Sequence, residues 1–164
     1  MKKEAVAVFN SPSVKGETLF TQEGKNIKVH ALFNKLPQGQ HGFHIHKAGD
    51  LRGKGCAGLC DHFHKGRPAT HGGAPQTRKH RSRHTGDLGN IVAHKKYSFT
   101  LENLSLTELY GRSVVVHADK DDLGVGKEAD SKTTGHSGKR IGCAVIGRVC
   151  NGNYTISKTR KIKK

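Results

Sequence analysis

The chain has 164 residues and a mass of 17.8 kDa, a length that suits one domain with a single buried core. Its 29 lysines and arginines against 13 acidic residues leave a net charge of +16, which predicts attraction to anions of any size without choosing among them. Tryptophan is absent and aromatics make up only 5%, so small and β-branched residues must fill the core.

Short alternating segments dominate the chain. Residues 5–9, 27–33, 42–46, 91–94, 97–101, 113–117 and 143–149 read as strands. Turn signals punctuate them at Ser11-Pro12, Glu23-Gly24-Lys25-Asn26 and Leu36-Pro37-Gln38-Gly39. No window holds a 3.6-residue apolar period over three turns, so an all-β antiparallel sandwich or Greek-key barrel is expected. Two segments fit no strand. Residues 47–88 are rich in Gly, His, Arg and Lys, and residues 119–139 are polar with several glycines; loops of that length in a compact domain are usually functional or disordered. The first carries five of the twelve histidines, which points to metal.

The domain is expected to span residues 1–150, with 151–164 as a basic C-terminal extension that has no acidic residue. The apolar run at 5–9 is too short for a secretory signal, and no stretch approaches a membrane span. A soluble cytoplasmic protein without membrane contact is the expectation. Cys56, Cys60, Cys143 and Cys150 leave three options open: one bridge with two thiols, two bridges, or metal ligands. A reducing compartment favours thiols or metal over disulfides.

His44 and His46 are two apart on an expected strand. They therefore share a face, with Cα atoms about 7 Å apart, close enough for both rings to reach one ion. His117 closes another strand and supplies a third nitrogen, and His62 on the long loop a fourth; an all-imidazole set suits copper or zinc better than magnesium or calcium. His62, His71, His84 and Asp87 offer three nitrogens and one carboxylate, a plausible tetrahedral zinc set.

Several blocks carry a resemblance. Gly42-Phe43-His44-Ile45-His46, Gly55-Cys56, His71-Gly72-Gly73, Gly86-Asp87-Leu88-Gly89-Asn90 and Val115-Val116-His117-Ala118-Asp119 resemble, in order, signatures of the copper/zinc superoxide dismutases. So do Asp121-Asp122-Leu123-Gly124 and Gly138-Lys139-Arg140-Ile141-Gly142-Cys143. The resemblance implies an eight-stranded, immunoglobulin-like Greek-key barrel with two long functional loops. It also implies an enzyme that disproportionates superoxide to oxygen and hydrogen peroxide, with one copper and one zinc per chain.

By the same resemblance His44, His46, His62 and His117 bind copper, and His62, His71, His84 and Asp87 bind zinc, with His62 shared. Asp121 hydrogen-bonds one ligand of each metal. Cys56 and Cys143 form a disulfide. Arg140 docks the anion beside copper, and Lys132 steers it from one position away from the family's usual lysine. The zinc loop is longer than usual, which places a competitor, His80, nine positions after His71; His84 is preferred because His84-Thr85-Gly86-Asp87 keeps the His-x-Gly-Asp block. Cys60 and Cys150 are expected as free thiols, and His41 as a packing histidine. His30, His64, His94 and His136 are expected at the surface without partners.

Lys139 and Ile141 flank Arg140 where prolines accompany dependence on a copper chaperone, so no chaperone requirement is expected. A homodimer is expected from family habit, although Ala48, Tyr110 and Arg148 stand where bulkier or apolar interface residues are common. Six basic residues and no acid lie between His62 and Asp87. Without interleaved aromatics, this supports only non-specific association with nucleic acid or another polyanion.

Overall fold

The computed structural model describes residues 3–76 and 82–150. Among these residues nine strands form two antiparallel sheets: β1 (Glu4–Asn10), β2 (Lys15–Glu23), β3 (Asn26–Lys35), β4 (His41–His46), β5 (Asp87–Ile91), β6 (Lys96–Leu101), β7 (Ser113–His117), β8 (Arg140–Val145) and β9 (Gly147–Arg148). One sheet runs β6-β3-β2-β1-β9 and the other β5-β4-β7-β8. The chain changes sheets between β3 and β4 and again on either side of β6, which is the Greek-key path. The last strand is also divided. Past Val145 the backbone turns at buried Ile146, whose N–H donates to Arg112 O at 2.9 Å, and β9 then pairs with β1. Counted as one strand, β8 and β9 join the two sheets along one side into an eight-stranded Greek-key sandwich.

Alternation explains the core. Ala5, Ala7 and Phe9 of β1 point inward, as do Ile27, Val29, Ala31 and Phe33 of β3. On the four-stranded sheet, Phe43 and Ile45 of β4, paired with Val116 and Val114 of neighbouring β7, supply the facing side of the core. Phe33 joins the layers, with its ring 5.0 Å from Phe9 and 5.6 Å from Phe43, both edge-on. Each such buried phenylalanine contributes about 1.5–3 kcal/mol over leaving it exposed.

Two expectations about strands are corrected. Strand β2 is absent from the sequence reading because its inward positions are Gly16, Thr18 and Phe20 while Leu19 faces outward, which blurs the alternation. The strand expected at 91–94 instead occupies 87–91. The chain turns after Ile91, where Val92 N–H donates to the Tyr97 hydroxyl at 2.9 Å and His94 takes a left-handed φ of 62°. No helix among the described residues is long and apolar enough to cross a membrane. Among the described residues, helical structure is limited to turns at Ala57–Leu59 and Leu106–Glu108 and one α-turn, α1 (Ser131–Thr134).

Candidate metal centre

The inward residues of β4, Phe43 and Ile45, belong to the core, so the pleat turns His44 and His46 to the opposite face. His117 leaves β7 on that face too. The connections β4–β5 and β7–β8 fold over it, leaving His44 and His46 at 0% and 1% exposure. Segment 61–63 docks along β4: Lys47 N–H donates to Asp61 O at 2.9 Å and Phe63 N–H to Ile45 O at 2.7 Å, placing His62 beside His46. His71 N–H donates to Lys132 O at 2.8 Å, joining the two loops. Asp87 opens β5 directly opposite His44.

Among the described residues, three groups of potential ligand atoms result, each within 4.8 Å of one another: His44, His46, His62 and His117; His62, His71, His84 and Asp87; and a smaller set of His44, His71 and Asp121. In the first group, His44 Nδ1 and the Nε2 atoms of His46, His62 and His117 are buried without any hydrogen-bond partner. Leaving such atoms unsatisfied costs about 1–3 kcal/mol each, so four at one point fit a metal ion. The other nitrogens are anchored. His44 Nε2 donates to Asp121 Oδ2 at 2.6 Å, His46 Nδ1 to Cys60 O at 2.9 Å and His117 Nδ1 to Gly138 O at 3.1 Å.

In the second group the Nδ1 atoms of His62, His71 and His84 stand 2.9, 3.0 and 3.3 Å from Asp87 Oδ1. A tetrahedral zinc with bonds near 2.0–2.1 Å has ligand–ligand edges of about 3.3 Å, so this group also fits its metal. Asp87 Oδ2 is occupied separately, accepting the N–H groups of Gly72 at 2.9 Å and His84 at 2.8 Å. His84 Nε2 donates to Ala69 O at 3.1 Å and His71 Nε2 to Asp121 Oδ1 at 2.8 Å. Asp121 thus grips one imidazole from each of the first two groups. Gly135, at φ 69°, lies against Asp121 and His71 where a Cβ would collide with both.

Burial keeps the first group neutral, pulling His44 and His62 down, His46 to about 2 and His117 to about 4. Burial also opposes charge on His71, but Asp121 and Asp87 outweigh it and raise His71 to about 9. Burial would raise Asp87, yet His62, His71 and His84 hold it well below the usual carboxylate range. Asp121 is raised, chiefly by burial.

A cleft of about 1060 Å³ opens onto His46, His62 and His117 and is lined by Lys132, Lys139 and Arg140. Arg140 stands opposite His117 across β7–β8; it donates to Cys56 O at 2.9 Å and Cys60 O at 2.6 Å. Cys56 and Cys143 form a disulfide with Cα atoms 6.0 Å apart, fastening this loop to β8. Cys60 and Cys150 are free and exposed. Lys132 lies on α1 with its ammonium bonded to Gly124 O, so it lines the cleft but is not free to swing. His80 lies outside the described residues. His41 packs as expected, its ring nitrogens facing His117 O at 2.9 Å and Pro37 O at 3.0 Å. Two surface histidines do have partners: His64 Nε2 donates to Arg67 O, and His136 pairs with Asp130 at 2.6 Å.

The sequence reading missed three supports. Arg83, half-buried, donates to Gly73 O, Thr85 O and Asp87 O and pins the turn carrying His84. Asn90 exchanges two hydrogen bonds with the Asp121 backbone, at 2.7 and 2.9 Å. The Cys60 carbonyl serves both His46 and Arg140. Of these only Asn90 lay within a recognisable block.

Comparisons with known proteins agree with this geometry. The family described as copper/zinc superoxide dismutase matches residues 14–146. A superoxide dismutase [Cu-Zn] of Paramecium bursaria Chlorella virus 1 is 47% identical over 151 residues, covering 87% of this chain and 77% of that one. The extracellular superoxide dismutase [Cu-Zn] of Drosophila melanogaster is 42% identical over 162 residues, covering 90% and 86%. Among solved structures, the clock protein EA4 superposes with a TM-score of 0.78 at 34% identity, covering 89% of this chain and 94% of that one. The chain therefore belongs to the copper/zinc superoxide dismutase family, as an oxidoreductase that acts on superoxide and takes copper and zinc as its metals.

Proposed function

We propose that His44, His46, His62 and His117 hold the copper, that His62, His71, His84 and Asp87 hold the zinc, and that each chain carries one of each. The observation that carries this reading is His62. Its Nδ1 stands with the carboxylate-bearing group and its Nε2 among the orphaned imidazoles. Asp121 orients His44 and His71.

Copper, when bound, supplies a one-electron couple, so that two superoxide ions and two protons become oxygen and hydrogen peroxide. The rest falls to the chain. Arg140 has two N–H groups committed to carbonyls, which fixes its planar fork and leaves three donors for the anion. His62, held at Nδ1, has Nε2 as the atom placed to accept a proton and pass it to the reduced anion; solvent supplies the second proton. The test is His62→Ala, which should lower both copper and zinc content. A variant that keeps both metals unchanged would overturn the bridging role.

Residues 1–150 act as the dismutase domain. The chain forms a homodimer through the surface of β1 that exposes Val8, together with Ala48, Tyr110 and Arg148, the last lying over the Tyr110 ring at 4.8 Å. Light scattering should give twice 17.8 kDa, and a single-chain mass overturns this. Two exposed thiols suit a reducing cytoplasm, which cell fractionation tests. With Lys139 and Ile141 beside Arg140, copper loading needs no chaperone, so a chaperone-deficient host should still yield copper-loaded protein. Residues 151–164 and the basic surface bind polyanions without sequence preference. Deleting 158–164 should shift heparin or DNA elution to lower salt while leaving dismutation unchanged.

A further inference from the structure

We propose that Lys139 is a further anion-recruiting residue of the dismutation cleft, in addition to Arg140 and the expected Lys132; this rests on the reading of that cleft as the superoxide site. Several charges around the cleft are already matched. Lys47 lies 3.9 Å from Asp61, and Asp130 is paired with His136 at 2.6 Å. The Lys132 ammonium is committed to Gly124 O. Arg140 is clamped by two carbonyls.

Lys139 differs from all of these. It lines the same cleft and is exposed, and among the described residues its ammonium has neither an ion-pair nor a hydrogen-bond partner. Its backbone is nonetheless fixed, because Ala118 N–H donates to Lys139 O at 2.7 Å, directly after His117. A pinned root with a free four-carbon arm lets the cation meet an anion in the cleft and deliver it to the rigid Arg140 fork. The ammonium is a compact point charge without the bidentate geometry needed for docking, which suits recruitment.

The test compares Lys139→Gln, Lys139→Glu and Lys139→Arg with Lys15→Gln, which removes the same charge on the five-stranded sheet. Copper and zinc content, the second-order rate with superoxide, and azide affinity followed by copper absorption are read on the same holoprotein samples. A cation about 10 Å from the anion's path in water changes the local anion concentration about twofold. At 0.01 M salt Lys139→Gln should therefore lose about twofold in rate and in azide affinity, and Lys139→Glu about fourfold. The differences should vanish at 1 M salt, where the screening length is about 3 Å. Metal content should be unchanged, and Lys139→Arg should behave as wild type. The proposal is overturned if Lys139→Gln matches wild type at low salt in both readouts, or if Lys15→Gln loses as much. A copper-loaded wild type that does not dismutate would instead refute the reading of the site, and the azide arm separates the two failures.

Discussion

Opening the Cys56–Cys143 bridge should destabilise the protein mainly through its unfolded state. The bridge spans a sequence separation of 87, for which the loop-entropy relation gives about 4.6 kcal/mol at 25 °C. The folded state has other means of holding the same loop. Ala48 N–H donates to Leu59 O at 3.1 Å, Lys47 N–H to Asp61 O, and Arg140 reaches both Cys56 O and Cys60 O. The double variant Cys56→Ser/Cys143→Ser should therefore still fold. Urea unfolding of the metal-free protein is the assay, so that metal linkage does not enter. The expected result is a loss of about 4–5 kcal/mol, with a steeper denaturant dependence because the unbridged unfolded chain exposes more surface. A loss below about 1 kcal/mol at unchanged steepness would refute the reasoning. Azide affinity of the metal-loaded variant should fall too, because the carbonyls that clamp Arg140 sit on the released loop.

Two further outcomes test individual site residues. Arg140→Glu should lower the rate with superoxide at least about tenfold, since a reversed charge replaces a donor fork about 5 Å from the anion, while metal analysis shows both ions retained. His84→Ala should weaken zinc by more than about a hundredfold in a chelator competition, whereas His80→Ala should leave it unchanged; the reverse pattern would assign the ligand to His80.

How much of this was legible in the sequence depended on how each residue acts. The proposed ligand histidines and Asp87 would act through their side chains, at fixed spacings on strands or in recognisable blocks, and the structure brings all of them together. Arg83 and the Cys60 carbonyl went unseen because their partners are backbone oxygens, which every residue type carries. The β2 error has a similar origin: a barrel tolerates Gly16 and Thr18 at inward positions if the neighbouring strands supply the bulk, so alternation fades where packing is good. Lys132 was expected from its position, yet only the folded loop shows its ammonium turned to Gly124 O.

The two histidines of β4 that are proposed to hold copper should carry opposite tautomers, because of where their second nitrogens go. His44 and His46 leave the same face of one strand, but the environment differs at their outer edges. Beyond His44 lies the Asp121 carboxylate, 2.6 Å from Nε2, so Nε2 must hold the hydrogen and Nδ1 is left as the free lone pair. Beyond His46 lies the Cys60 carbonyl, 2.9 Å from Nδ1, so the hydrogen sits on Nδ1 and Nε2 is free. His117 follows His46, with Nδ1 on Gly138 O. A carbonyl oxygen can only accept, so it dictates the tautomer as firmly as a carboxylate does. Nitrogen-15 NMR of the metal-free protein at neutral pH should therefore show an Nε2–H imidazole for His44 and Nδ1–H imidazoles for His46 and His117. Asp121→Asn should disturb His44 and His71 while leaving His46 unchanged, since Asp121 does not touch it. Finding Nε2–H on His46 would mean that the Cys60 carbonyl does not orient that ring, and the account of how loop 47–86 positions a proposed copper ligand would fail.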